Sequence, residues 1–276
     1  LDVPGGNLLY AAAGARLWSD QIGLLARAGE DYPQEWLKQF SKIGFDTQGI
    51  RILPGGLDLR SFRAYMDAAT PQITNPVAHF ARLGMPFPKS LLGFQPKGEG
   101  QDSRSKTNPD SPRITDIPKT YLDAKAVHIC PTDYVSHTQL LPAFRQAGVL
   151  TTTLDPSPGY MQPSFMEDVR SLVQGLTAFM PSEEEIRALF WGRTDDLWAM
   201  IEEVGSWGVE LVIVKRGGLG QWLYDSSRKR RFEIPAYPVR TVDPTGAGDA
   251  FCGGFLVGYA ESFDAVRGAT YGNVSA

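Results

Sequence analysis

From residue 126 onward, short apolar runs alternate with segments of helical periodicity, and this alternation constrains the fold more than any other feature of the chain. Residues 126–130, 149–154, 176–180 and 209–214 read as strands; 137–146, 164–172, 182–190 and 195–207 read as helices between them. A helix between two strands returns the chain to the same end of a sheet, so the strands pair in parallel and helices cover both faces. Residues 222–224 and 231–234 read as a hairpin, and 246–259 as a further helix. The chain shows no internal repeat. The expectation is an α/β fold, with a central, mostly parallel sheet flanked by helices.

The first part is less regular. After Gly5-Gly6-Asn7, the alanine-rich stretch 8–17 reads as a buried helix. Residues 22–28 read as a strand closed by Gly29-Glu30-Asp31, and 32–43 as a helix with Trp36, Leu37, Phe40 and Ile43 on its apolar face. Between 47 and 67, short strands around Pro54-Gly55-Gly56 predict a small β lid projecting from the main body. Residues 97–113 (KGEGQDSRSKTNPDSPR) are nearly free of apolar groups and read as a mobile surface loop. The chain opens on Leu1 without Met and ends inside a helical pattern, so residues 1–276 are expected to form one domain trimmed at both ends.

The 276 residues suffice for one large core. A net charge of -4 offers no basic surplus for nucleic acid or an anionic membrane. Two cysteines make no disulfide framework and fit a reducing compartment, with the cytoplasm as the expected location. His79, His128 and His137 lack metal-ligand spacing and read as surface or satisfied core residues. No stretch is long and apolar enough for a transmembrane helix.

The chemistry-bearing segment is Thr241-Val242-Asp243-Pro244-Thr245-Gly246-Ala247-Gly248-Asp249-Ala250-Phe251. Its glycines let backbone approach a ligand closely. The helix that follows aims unpaired N–H groups and its positive dipole end at one point, an arrangement suited to a phosphoryl group. Asp249 falls in the first turn, where the dipole favours its ionised form and a substrate hydroxyl could give it a proton. By spacing alone, a tight turn with an ordinary helix-start aspartate explains the same residues equally well.

The run DPTGAGDAFCGGF resembles the second signature of the ribokinase-like (PfkB) carbohydrate kinases, D-T-T/V-G-A-G-D-x-F-x-G-G. The resemblance implies a ribokinase-like fold and ATP-dependent phosphorylation of a hydroxymethyl group on a sugar or nucleoside-like small molecule. It implies Asp249 as catalytic base, with Gly246, Ala247 and Gly248 as the anion hole. Asp243 and Thr245 match positions that help bind a monovalent cation such as K⁺. Pro244 replaces the usual Thr.

Other segments fall in register with that family. Gly5, Gly6 and Asn7 resemble the glycine pair that opens a helix against the substrate, with Tyr10 where the family often has Asn. Glu185 keeps the acid of the Asn-x-x-Glu element that organises Mg²⁺ through water; Ser182 replaces the Asn, and Ser-x-x-Glu is also a capping box. Residues 212–220 (VIVKRGGLG) resemble the segment under the nucleotide, with Lys215 or Arg216 to reach phosphates and Gly217 and Gly220 in the turn. Asn273 lies where the family forms part of its adenine pocket. Residues 58–67 resemble the lid, with Arg60 and Arg63 facing either substrate or solvent. The implied cofactors are ATP and Mg²⁺, and the expected partners are a small-molecule substrate and a second copy of the chain in a homodimer. The second reading is a catalytically weak relative acting as a binding or scaffold protein, motivated by Ser182, Tyr10 and the polar insert.

Overall fold

The computed structural model describes residues 3–65, 71–96 and 100–276. The expectations on residues 1–2, on 66–67 at the end of the lid segment and on 97–99 lie outside them. The first part of the chain runs α1 (Asn7–Arg16), β1 (Ile22–Gly29), α2 (Gln34–Lys42), β2 (Phe45–Leu53), β3 (Ala64–Tyr65), β4 (Pro71–Gln72) and α3 (Pro76–Arg82). The second runs β5 (Ala126–Ile129), α4 (Tyr134–Gln146), β6 (Thr151–Leu154), α5 (Met166–Leu172), β7 (Ala178–Phe179), α6 (Glu183–Leu189), α7 (Leu197–Ser206), β8 (Leu211–Lys215), β9 (Gln221–Asp225), β10 (Arg230–Ile234), α8 (Ala247–Ser262) and α9 (Ala265–Ser275).

Among the described residues, six strands form the main sheet in the order β10-β9-β8-β7-β6-β5. β5 to β8 are parallel; β9 and β10 continue the sheet as antiparallel strands. The two faces divide by the period of two. Val212 and Val214 pack toward Phe165, Val169, Ile186 and Val204 of the α5–α7 layer. Their neighbours Leu211 and Ile213 join Phe251, Phe255, Tyr259 and Ala269 of α8 and α9 on the opposite face. A strand covered on both sides is apolar at every position, which is why 211–214 carried no alternation in sequence.

α8 is wedged between α1 and α9 by two adjacent glycines. A Cβ at Gly253 would lie 1.9 Å from the Ala11 carbonyl oxygen in α1, and one at Gly254 would lie 2.7 Å from the Tyr271 carbonyl oxygen in α9. Backbone meets backbone on both sides of the helix that carries Asp249, so its first turn is placed by direct contact with two neighbours.

The expectation for 47–67 needs correction. The strand before Pro54 belongs to β2, which pairs in parallel with β1, not to a lid hairpin. Among the described residues of this segment, only Ala64 and Tyr65 form a small antiparallel ladder, with Gln72 and Pro71. Phe62, Ala64, Phe80 and Leu91 make a separate small core beneath it. The helix α3 went unread; it is short, and is set up by Asn75, whose side chain accepts from the Ala78 amide.

The polar stretch is also different from its expectation. Residues 100–113 are fastened to the body by their polar groups. Asp102 accepts from the Tyr134 amide, the Asn108 amide donates to Asp133, and Ser111 is buried against Thr132. Arg104 pairs with Asp168 and lies 3.9 Å over the Phe165 ring. Composition foretold a segment without apolar cohesion; hydrogen bonds supply it instead.

Candidate active site

The carboxyl ends of the parallel strands converge on one place. Asp155 follows β6, Ser182 and Glu185 follow β7, and Lys215 ends β8. Crevices outside the carboxyl ends of such strands are the general site of ligand binding in open α/β sheets. The Gly246 turn and the first turn of α8 close the same region from above. A cleft of about 2610 Å³ extends from there under the lid and along β1 and β5, lined by Gly5, Gly6, Asn7, Thr245 and Asp249 among others. Among the described residues, β1 and β5 each turn an unpaired edge to it.

Two glycine motifs that are 240 residues apart meet through one aromatic ring. Gly6 caps α1 at φ 102° and Gly246 caps α8 at φ 81°, both in the left-handed region that glycine adopts without penalty. The Tyr10 ring stands between them. A Cβ at Gly246 would fall 2.2 Å from Tyr10 Cγ, and one at Gly5 would fall 2.9 Å from the Tyr10 hydroxyl. Tyr10, a departure from the family pattern in sequence, thus fills the space that joins the two turns.

The turn itself is built from Asp243 to Ala247. The Thr245 amide donates to Asp243 Oδ1 at 2.9 Å, and the Ala247 amide donates to the Pro244 carbonyl at 3.2 Å. Ala247 therefore spends its N–H inside the turn. Among the described residues the Gly248 and Asp249 amides have no internal acceptor and remain at the positive end of a 16-residue helix.

Asp249 is largely buried, and burial pushes its carboxyl up to about 6, with Asp155 adding to the rise and Lys215 and Arg63 opposing it. The dipole was expected to keep it low; loss of water outweighs the dipole. A base with a pKa just under neutrality is well matched to proton abstraction at physiological pH.

Lys215 occupies a place the sequence did not suggest. Its ammonium is paired with Asp155, which follows β6; the Asp155 side chain is buried and that of Lys215 is 14% exposed. Cys252 Sγ lies 3.7 Å from Lys215 Nζ and 3.6 Å from Asp155 Oδ2. Burial works against the charge on Lys215, but Asp155, Cys252 and Glu185 hold its pKa above the ordinary value. A Cβ at Gly248 would sit 3.7 Å from Lys215 Nζ, so the cation lies directly beneath the glycine turn.

Glu185 and Ser182 form the capping box in full. Glu185 Oε2 accepts from the Ser182 amide at 2.7 Å, and Ser182 Oγ accepts from the Glu185 amide at 3.2 Å. Burial, with Asp155 nearby, pushes Glu185 up to about 7. Three carboxylates, Asp155, Glu185 and Asp249, therefore share one buried lysine.

Neither Lys215 and Glu185 nor the remaining nucleotide-side residues line this cleft. Gly217 opens the turn from β8 to β9 at φ 55°. Gly220 lies against β10, where a Cβ would meet the Ile234 carbonyl oxygen at 2.1 Å. Asn273 donates to the Pro235 carbonyl at 2.9 Å. Arg216 pairs with Glu183 and stands 4.3 Å over Trp222. The resemblance offered Lys215 or Arg216 to reach phosphates; in the fold Lys215 is paired with Asp155 and Arg216 with Glu183. His137 is buried and His128 half-buried, and their pKa values are lowered to about 4 and about 3 chiefly by loss of water around the rings.

Comparison with known proteins decides the family. The profile described as pfkB family carbohydrate kinase matches residues 120–276. The chain belongs to the pfkB family of carbohydrate kinases. It is 31% identical over 260 residues to the cytidine kinase of Thermococcus kodakarensis, covering 94% of this chain and 81% of that protein. Two solved structures share the fold of this pfkB-family kinase. One is the Burkholderia thailandensis nucleoside kinase in complex with inosine, at 21% identity and a TM-score of 0.68, covering 98% of this chain and 79% of that one. The other is a candidate ribokinase II from E. coli in complex with ATP and Mg²⁺, at 20% identity and a TM-score of 0.68, covering 99% and 83%. Both the recognition of the family and the ribokinase-like α/β fold read from sequence agree with these findings. Among the described residues no helix is long and apolar enough to cross a membrane.

Proposed function

We propose that this pfkB-family kinase transfers the γ-phosphoryl group of ATP to a hydroxymethyl group of a nucleoside or sugar, with Asp249 as the base. The observation that carries this reading is the position of the Asp249 carboxyl: in the first turn of α8, at the cleft, next to the unspent amides of Gly248 and Asp249. Asp249 accepts the proton of the acceptor hydroxyl as its oxygen bonds to phosphorus. The amides and the helix end receive the charge on the transferring group. Lys215, fixed by Asp155 under the turn, adds positive potential without having to move.

The acids of the site suit a divalent cation that enters with the nucleotide, because Asp155, Glu185 and Asp249 face a single committed lysine. Among the described residues no three acid, histidine or cysteine groups stand close enough to hold a metal directly. Glu185 would therefore hold Mg²⁺ through water. The metal, when bound, neutralises phosphate charge as the bond to the leaving group breaks. The bound ATP and Mg²⁺ of the candidate ribokinase II support this assignment. A monovalent cation at Asp243 and Thr245 is part of the same reading, and exchange of K⁺ for tetramethylammonium tests it.

The acceptor side favours nucleosides as the first panel, on the strength of the cytidine kinase relative. ADP formation is measured with nucleosides and free sugars, for the wild-type chain and for Asp249→Asn. Turnover of at least one acceptor, lost in Asp249→Asn with the fold intact, is expected. Equal turnover in Asp249→Asn removes the base assignment.

A further inference from the structure

The lid presents one arginine to the catalytic turn. Along residues 62–65 the side chains alternate: Phe62 and Ala64 are buried in the lid core with Phe80 and Leu91, so Arg63 and Tyr65 leave from the opposite face. That face is held over the motif, because Thr245 Oγ1 donates to the Tyr65 hydroxyl at 3.3 Å. Arg63 lines the cleft together with Asp243, Thr245 and Asp249.

The other cations nearby are occupied. Arg60 is held by Asp58, by the Ser90 and Leu92 carbonyls, and by the Phe94 ring 6.0 Å away. Lys215 is locked to Asp155, and Arg216 to Glu183. Among the described residues Arg63 has no ion-pair or hydrogen-bond partner, and it lines the cleft where its charge acts on Asp249. A guanidinium that faces this glycine turn and pairs with none of the described carboxylates is suited to meet an incoming anion.

We propose that Arg63 is a catalytic residue that donates hydrogen bonds to the non-bridging oxygens of the transferring phosphoryl group when the lid covers the substrates; this rests on the kinase reading above. In the step, the acceptor O–H gives its proton to Asp249 and its oxygen bonds to the γ-phosphorus. The bond from that phosphorus to the β–γ bridging oxygen breaks, and ADP leaves with the electron pair. Arg63 is not consumed; it stabilises charge on the equatorial oxygens and, by its position, brings lid closure and transfer together.

The test compares wild type with Arg63→Ala, Arg63→Lys and Arg60→Ala, at saturating ATP and varied acceptor. Arg63→Ala should lower kcat by about 100-fold or more while the acceptor KM changes by less than about three-fold. Added guanidinium ion should restore part of that loss, and Arg63→Lys should fall between. The acid limb of the kcat profile should move to higher pH in Arg63→Ala, since Asp155, Lys215, Cys130 and Cys252 remain as the groups around Asp249. Arg60→Ala, which loosens the lid without touching phosphate, should lose less kcat than Arg63→Ala. A kcat for Arg63→Ala within about two-fold of wild type overturns the proposal, as does a loss confined to KM, which would place Arg63 on the acceptor. Wild-type protein that turns over no acceptor overturns the kinase reading itself, whatever the variants do.

Discussion

The Tyr10 ring rests against Gly246, near enough that a Cβ there would fall 2.2 Å from Tyr10 Cγ. This contact couples the start of α1 to the catalytic turn. Gly246→Ala should be destabilising for two separate reasons: the ring clash, and about 1–2 kcal/mol for an alanine held at positive φ. Replacing Tyr10 by Ala in the same chain removes the clash and leaves the backbone penalty. Thermal unfolding of the two single variants and the double should therefore show partial recovery; full recovery would mean that the turn is not strained at φ 81°.

The pH dependence of turnover should report Asp249. Its carboxyl in the free protein titrates at about 6, so kcat/KM should be level near pH 8 and fall about ten-fold per unit below that pKa. Stability moves in the opposite sense. The folded pKa is raised above the unfolded value, so this group's contribution is present at low pH and lost as pH rises through about 6. Asp249→Asn should then be more stable than wild type at pH 8, by on the order of 2 kcal/mol, and about equal at pH 4. Urea denaturation at the two pH values measures it.

Lys215→Met should be severely destabilising. It leaves Asp155 buried without its cation, a situation that costs about 3–5 kcal/mol. Burial already raises the Asp155 pKa, so the deficit should be larger at pH 8 than at pH 5, where the carboxyl can take a proton. Lys215→Met combined with Asp155→Asn should recover part of the loss. An equal deficit at both pH values would show that packing, not charge, accounts for the effect.

Gly253→Val and Gly254→Val address the wedge around α8. Each puts side-chain atoms where backbone of α1 or α9 already lies. A loss of at least about 2 kcal/mol is expected from either, since neither neighbour can retreat without moving a helix. Equilibrium unfolding of the purified variants gives the number; a neutral substitution at either site would mean the helices are not in close contact there.

Ser182 offers a milder probe. Ser182→Ala removes the cap to Glu185 and should cost about 1 kcal/mol. Ser182→Asn keeps an N-cap of similar strength and should stay within about 0.5 kcal/mol of wild type. If the Asn variant also lowers the Mg²⁺ concentration needed for half-maximal rate, the position matters to the metal as well as to the helix.

The second half of the chain was legible because its signals are local. Buried parallel strands read as short apolar runs, Ser182 and Glu185 declare their cap at fixed spacing, and Gly246 to Asp249 form one contiguous motif. The first half carried weaker signals. Residues 47–53 were read as part of the lid because a parallel partner on β1 leaves no mark on a strand's own sequence. The polar stretch 100–113 was read as loose because its attachments, from Asp102 to Tyr134 and from Asn108 to Asp133, are pairings between distant residues.

By itself the sequence determined the family and the α/β architecture, and it singled out Asp249 as the candidate base, since each reading depends on residue type and spacing along the chain. The tertiary structure alone decided what those residues face. It set Lys215 against Asp155 and away from open solvent, put Tyr10 between two glycine turns, raised the Asp249 pKa by removing water, and turned Arg63 toward the site while spending Arg60 on the lid. Burial, charge balance and close approach arise between residues far apart in the chain, and no local pattern encodes them.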